Sequence, residues 1–210
     1  LLALIEVGWG HVHPMRREDS ELLDAVAQYL SVQLAGAFSA MRAQREADLR
    51  EAASGIRESM MSAGSVDEKS VADALEAASG VLDASCVRLA EDEPGHMRAT
   101  LPDGRTCSLA ADLGTSEGDQ AGNEVVVQPV REGSTLASAL VREGEPAVGA
   151  LVDAGMVDGT RCFCLVLREA DAEPLDDLEL KFLERVATDA SGLAHGDEVR
   201  RQDKHIAQAL

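Results

Sequence analysis

Between Leu23 and Met41 apolar residues recur every three or four positions: Leu23, Val26, Leu30, Leu34, Ala37 and Met41. That spacing puts them on one stripe of an α-helix and predicts a helix from Glu21 to about Met61, with Asp19 or Ser20 as its N-cap. The stripe thins across MRAQREADLREA and resumes at Leu49, Ala52 and Ile56, with Gly55 as a soft spot. Such a helix is about 60 Å long, too long for a small domain to cover. It is expected to pair with a partner helix, its own copy in a dimer being the simplest choice. After the turn-rich connector SAGSVDEK, a second helix is predicted over 71–82, with Val71, Leu75, Ala78 and Leu82 on one side.

The period then changes. Residues 86–90, 97–101, 105–109 and 124–130 read as short strands. In HMRATLPDGRTCSL, apolar residues alternate on both sides of Asp103-Gly104, a hairpin turn in which glycine supplies positive φ without a steric penalty. DLGTSEGDQAGN reads as a loop, and GSTLASALVREGEP as a short helix ending near Gly144 and Pro146. RCFCLVL is the most apolar strand. AVGALVDAGMVDG, just before it, fits either another strand entering a hairpin at Asp158-Gly159 or a loop. Leu175 or Asp176 opens a last helix carrying Leu178, Phe182, Leu183 and Val186. Gly192 and Gly196 weaken it, and a second helical stretch runs to Leu210. Residues 1–7 are strand-like, and GWGHVHP breaks them from the first helix. This order predicts an α+β fold, an antiparallel sheet with helices packed on one face, joined to long connecting helices.

Composition narrows the picture. The 210 residues allow one or two domains. Hydrophobic residues make up 45% but aromatics only 2%, so the core must be built from Ala, Val, Leu and Met. A net charge of −19 repels phosphate backbones and anionic bilayers, so neither nucleic acid nor membrane is expected as a partner. No apolar run approaches the length of a membrane span. The four cysteines, Cys86, Cys107, Cys162 and Cys164, form no CxxC pair, which favours a reduced, cytoplasmic setting.

Candidate chemistry is sparse. Cys162 and Cys164 share one side of a strand and read as small buried apolar groups. Arg88 and Arg105 lie two residues from Cys86 and Cys107, so each thiol has a cation on its strand face, one condition for a redox-active cysteine. Packing is the plainer reading of both. His11 and His13 lack a carboxylate or cysteine at ligand spacing and read as a solvated turn. His96 reads as an exposed strand-start residue, and His195 carries no specific signal. Asp112, Glu117 and Asp119 lack calcium-loop spacing. GxGxxG and GxxxxGK[ST] are absent, and no nucleophile–base set stands out. No catalytic residue, metal ligand or cofactor is therefore expected.

Two stretches resemble each other and the closing segment of GAF sensor domains, in which a buried strand, a polar loop and an acidic start lead into an amphipathic helix. They are LIEVGWGHVHPMRREDSELLDAVAQYLSVQLAGAF and CFCLVLREADAEPLDDLELKFLERVATDASGLA. STLASALVREGEPAV resembles the family's short helix before G-E-P. The resemblance implies a GAF-like sheet with helices on one face. It places the end of a first GAF-like domain at 1–40, a connecting helix at 41–64, a second sensor domain at 65–195 and a helical linker at 196–210. The family usually has two clear strands late in the domain; only RCFCLVL is clear here.

EVRRQDKHIAQAL resembles the helix that introduces a PPM-type serine/threonine phosphatase domain of bacterial stress-response and sporulation regulators, through Ile206, Ala207 and Leu210. The expectation is a non-catalytic sensory piece from inside a longer signalling protein, homodimeric through its helices. It would bind an unidentified small ligand or partner in a cavity between sheet and helices. The expected signal-transmission residues are Leu30, Leu34, Ala37, Met41, Val199, Ile206 and Leu210. The competing readings are the sensor region of a histidine kinase, a phytochrome-like photosensor, a GAF-fold enzyme using cysteine chemistry, and a ligand-free dimerisation module. His205 lacks the acidic residue and Arg-x-Pro that follow a phospho-accepting histidine. The aromatic pocket and Pro-Arg-Ser motif of a photosensor are also missing.

Overall fold

The computed structural model describes residues 15–63, 65–93, 96–100, 106–110, 125–130, 148–157, 160–169 and 171–209. The strand expected at 1–7, the turn at Asp103-Gly104, the loop DLGTSEGDQAGN and the short helix before Gly144 lie outside these residues. The chain divides into two units, Leu1–Asp48 and Leu49–Leu210. The division falls within the stretch expected to connect two domains.

Helix α1 spans Arg17–Ser62. It starts earlier than its predicted cap. Asp19 lies inside the first turn and its Oδ2 reaches back to accept the Arg16 backbone N–H at 2.9 Å, satisfying a donor the helix leaves open. Its buried residues are Leu49, Ala53 and Met60, all in the second unit.

In that unit, α2 (Glu68–Val81) is closed at both ends by local hydrogen bonds. The Asp67 carboxylate accepts from Ser70 N at 2.8 Å and from Ser70 Oγ at 2.7 Å. At the other end Asp83 takes a left-handed φ of 50°. Ala84 N then donates to Ser79 O at 2.9 Å and Asp83 N to Gly80 O at 3.3 Å, the paired bonds of a Schellman turn. Asp is one of the few residues that tolerates this conformation.

Among the described residues six strands follow: β1 (Ser85–Glu93), β2 (His96–Thr100), β3 (Thr106–Ala110), β4 (Val126–Pro129), β5 (Val148–Val157) and β6 (Thr160–Arg168). They form one antiparallel sheet in the order β3-β2-β1-β6-β5-β4, and helix α3 (Asp177–Ala209) closes the chain. The fold is α+β, as the change of period predicts. β6 lies between β1 and β5 and is apolar on both faces, because both are covered. Cys162, Cys164 and Val166 join the core formed with α2, α3 and the end of α1. Phe163, Leu165 and Leu167 join a second buried cluster on the opposite face, with Val87, Leu89, Met97 and Ala99.

The segment before RCFCLVL is a strand. Its alternation is hard to read because β5 contains a bulge between Asp153 and Met156. Ala150, Val152 and Ala154 face the helices; past Gly155, at φ 77°, the parity flips and Val157 takes that face. Asp153 Oδ1 accepts the Gly155 N–H at 2.9 Å and holds the bulge. Val157 pairs with Thr160 at the start of β6, so β5 is a second strand next to RCFCLVL.

Helix α3 also departs from expectation: it runs unbroken through Gly192 and Gly196. A glycine costs a helix about 1 kcal/mol relative to alanine. Buried Phe182, Leu183, Val186, Ala187, Ala190 and Ala194 offset that cost along the face against the core.

Gly149 is required by space rather than by φ. A Cβ there would lie 1.9 Å from the Val166 carbonyl oxygen on β6. Gly149→Ala is expected to destabilise the protein by about 1–3 kcal/mol. Gly36→Ala and Gly192→Ala, where a Cβ meets nothing within 4 Å, are expected to be neutral or stabilising by up to about 1 kcal/mol. Urea midpoints of the three variants check both halves of this prediction.

Candidate functional site

The strongest polar constellation lies where β6 ends and α3 begins. Asp176 caps α3: its Oδ1 accepts the backbone N–H groups of Leu178 and Glu179, each at 2.9 Å. Glu179 Oε2 reciprocates by accepting Asp176 N–H at 2.8 Å, completing a capping box. Its other oxygen, Oε1, receives Nη2 of Arg168, the last residue of β6. Arg168 also donates from Nε and Nη2 to the Leu82 carbonyl at 3.3 and 3.1 Å, and from Nη1 to the Glu173 carbonyl at 3.0 Å. One guanidinium thus ties the end of α2, the loop after β6 and the start of α3. Glu179 is 1% exposed, so its charge depends on Arg168 and on the positive end of α3.

Beside this knot lies a groove of about 650 Å³, lined by Asp83, Ala84, Ser85, Leu167, Arg168, Glu169 and Ala172. Its one strong cation, Arg168, is already paired with Glu179, so the groove is not a ready anion site. On the helix-facing side of the sheet the described residues form a buried layer rich in Ala, Val and Leu.

On the sheet face away from the helices, an apolar floor meets one charged pair. Asp153 is buried and sits opposite Phe163 on β6. Arg161 donates to it from Nε at 3.0 Å and also from Nη2, while its guanidinium lies 5.2 Å from the centre of the Phe163 ring. Pairing and the ring face satisfy the cation at the margin of that floor.

The thiols converge on the helix-facing side. Cys162 and Cys164 are buried there, as their two-residue spacing predicts, and half-buried Cys86 packs against the same core. Cys86 pairs across the strands with Val166 and Arg88 with Cys164, which makes Cys86 and Cys164 diagonal neighbours. The neighbouring Cys164 thiol, with help from Ser79 and Arg88, lowers the Cys86 pKa against burial and the Glu76 charge. Cys86 beside it, together with burial, pushes Cys164 well above the ordinary thiol range. Arg88 Nη2 meets Asp73 at 2.7 Å and Glu76 at 3.5 Å on α2, so its charge is shared with carboxylates. The side chain of Cys107 lies outside the described residues.

Of the expected transmission residues, Leu30, Leu34, Ala37 and Met41 lie exposed on α1, Met41 at 67%. Leu22, Val26, Tyr29, Val32 and Phe38 are exposed beside them. Val199 is exposed on α3; Ile206 falls within that helix with its side chain outside the described residues, and Leu210 is outside them altogether. His11, His13 and the acidic loop residues are likewise outside, as is the side chain of His96, while His195 is exposed on α3. Among the described residues no group of three or more His, Cys, Asp and Glu is placed to hold a metal ion. No helix among them is long and apolar enough to cross a membrane. No protein-family model and no curated protein matches the chain.

Sequence reading overlooked two of these features. The Arg168–Glu179 knot had a signal in D-D-L-E, where Asp176 and Glu179 stand at capping-box spacing. The Cys86–Cys164 contact joins strands nearly eighty residues apart and had no local signal. Glu179→Ala, which removes the carboxylate that pairs with Arg168, is expected to cost about 3–5 kcal/mol. Arg168→Met with Glu179→Leu is expected to recover part of that loss. A double-mutant cycle in urea, with a coupling of about 1 kcal/mol or more, is the check.

Proposed function

We propose that the chain is a non-catalytic sensory and regulatory part of a bacterial signalling protein, acting in the cytoplasm through helical contacts in a homodimer. In this reading residues 65–195 are a GAF-type sensor, and the output is a PPM-type phosphatase domain. The reading is supported by the antiparallel sheet with helices on one face, by the late β5–β6 hairpin, and by the acidic, capped start of α3. The groove beside Arg168 offers space for a small ligand. A ligand would signal only by binding one helix arrangement more tightly than another.

The observation that carries the reading is the surface of α1. Residues 25–41, AVAQYLSVQLAGAFSAM, contain no charged side chain, and their large apolar residues are exposed. A second copy brings a further −19 charge, so self-association needs a surface free of like charges. This stretch supplies one, and salt screens the remainder within about 8 Å at physiological ionic strength.

The expected mass in light scattering at tens of micromolar is that of a dimer. Leu30→Glu with Leu34→Glu should convert it to a monomer, while the cooperative unfolding of the unit from Leu49 onward is retained. A wild-type chain that is monomeric under those conditions overturns the reading.

A further inference from the structure

Cys86 and Cys164 are diagonal neighbours on adjacent central strands, and both side chains lie on the face covered by α2 and α3. They differ in the two ways that divide labour in thiol chemistry. Cys86 is half-buried and reachable by a small oxidant; Cys164 is 2% exposed. Cys86 is also the thiol whose pKa its neighbour lowers, while that of Cys164 is raised. The thiolate is the nucleophile, and a protonated neighbour in contact with it is placed to act second.

We propose that Cys86 and Cys164 form a redox pair, in which Cys86 attacks a hydroperoxide and Cys164 resolves the product into an intrachain disulfide. In the first step the Cys86 thiolate bonds to the terminal peroxide oxygen, the O–O bond breaks and an alkoxide or hydroxide leaves. Cys86 becomes a sulfenic acid, oxidised by two electrons, and the peroxide is reduced. In the second step the Cys164 sulfur attacks the Cys86 sulfur, the S–O bond breaks, and water leaves with the Cys164 proton.

The diagonal register sets the character of the bridge. Diagonal neighbours stand about 7–8 Å apart, beyond the ordinary span of a disulfide, so closure draws β1 and β6 against each other. Both strands are flanked, β1 by β2 and β6 by β5, so the bridge is held under tension and opens readily in reductant. Cys86 packs against the core that holds α2, so closure is felt at the seat of α2. This chemistry requires neither the dimer nor the output domain.

The test treats the chain, on a Cys107→Ser background, with hydrogen peroxide, followed by alkylation and mass spectrometry without reductant. The expected product is lighter by two hydrogen atoms, joins the Cys86 and Cys164 peptides, and reverts in dithiothreitol. It should form unchanged in Cys162→Ser and be lost in Cys86→Ser. Cys164→Ser should instead accumulate a dimedone-trapped sulfenic acid at Cys86. Linkage through Cys162, or three thiols that all stay reduced while the fold is intact, overturns the proposal. The background protein alone decides this even where a serine variant fails to fold.

Discussion

The contact on which the second unit most depends is that between Arg168 and Glu179. Neither group tolerates burial alone: an ion in a protein interior forfeits several kcal/mol of hydration, which a close and fully hydrogen-bonded partner offsets. Here both carboxylate oxygens and all three guanidinium nitrogens are engaged. The energy of the pair matters less than its geometry. It fixes where α3 leaves the sheet, and through the Leu82 carbonyl it fixes where α2 ends. The last strand, the helix before the sheet and the helix after it thus share one point. A ligand in the adjacent groove would press on that point first.

Around that point the core is built from small side chains. The sequence has few aromatic residues, so helices and sheet must approach closely to exclude water. Ala74 and Ala78 on α2, Ala187, Ala190 and Ala194 on α3, and Ala150 and Ala154 on β5 make this possible. Gly149 carries the same logic into the sheet, where only a hydrogen fits against the Val166 carbonyl. A layer packed this tightly transmits a displacement instead of absorbing it. This suits the proposed role: a change at the seat of α2 has little slack to disappear into before it reaches α3.

Legibility in the sequence followed the range of the forces involved. α1, α2 and α3 were readable because their stripes repeat locally, and β1, β2 and β3 because alternation is local as well. β5 was not, since one glycine-based bulge shifts parity at Gly155 and breaks the pattern by which strands are recognised. The continuity of α3 through Gly192 and Gly196 was hidden for the opposite reason: local propensity argues for a break, and burial of the alanines against the core overrides it. At the candidate site, the shared face of Cys162 and Cys164 was legible from spacing. The partner of Cys86 was not, because strand order decides it, and no residue near Cys86 announces that β1 will lie beside β6 and not beside β5. The exposure of Leu30 and Met41 was legible in a subtler way. The stripe ran longer than any core that the same chain provides.

That excess of apolar helix and the acidity of the chain constrain each other. With 38 acidic residues against 19 basic ones, most of the surface resists close approach by another copy. An apolar stripe flanked by carboxylates would be exposed yet unable to associate. Withholding charge from residues 25–41 resolves the conflict. It leaves one segment where hydrophobic gain, about 25 cal/mol per Å² buried, is not opposed by local repulsion. Charge returns at Arg42 and Arg45, and again at Glu46 and Asp48, so the permissive window has defined ends. In the proposed dimer, acidity over the rest of the surface would act as selectivity, steering self-association to that single length of helix.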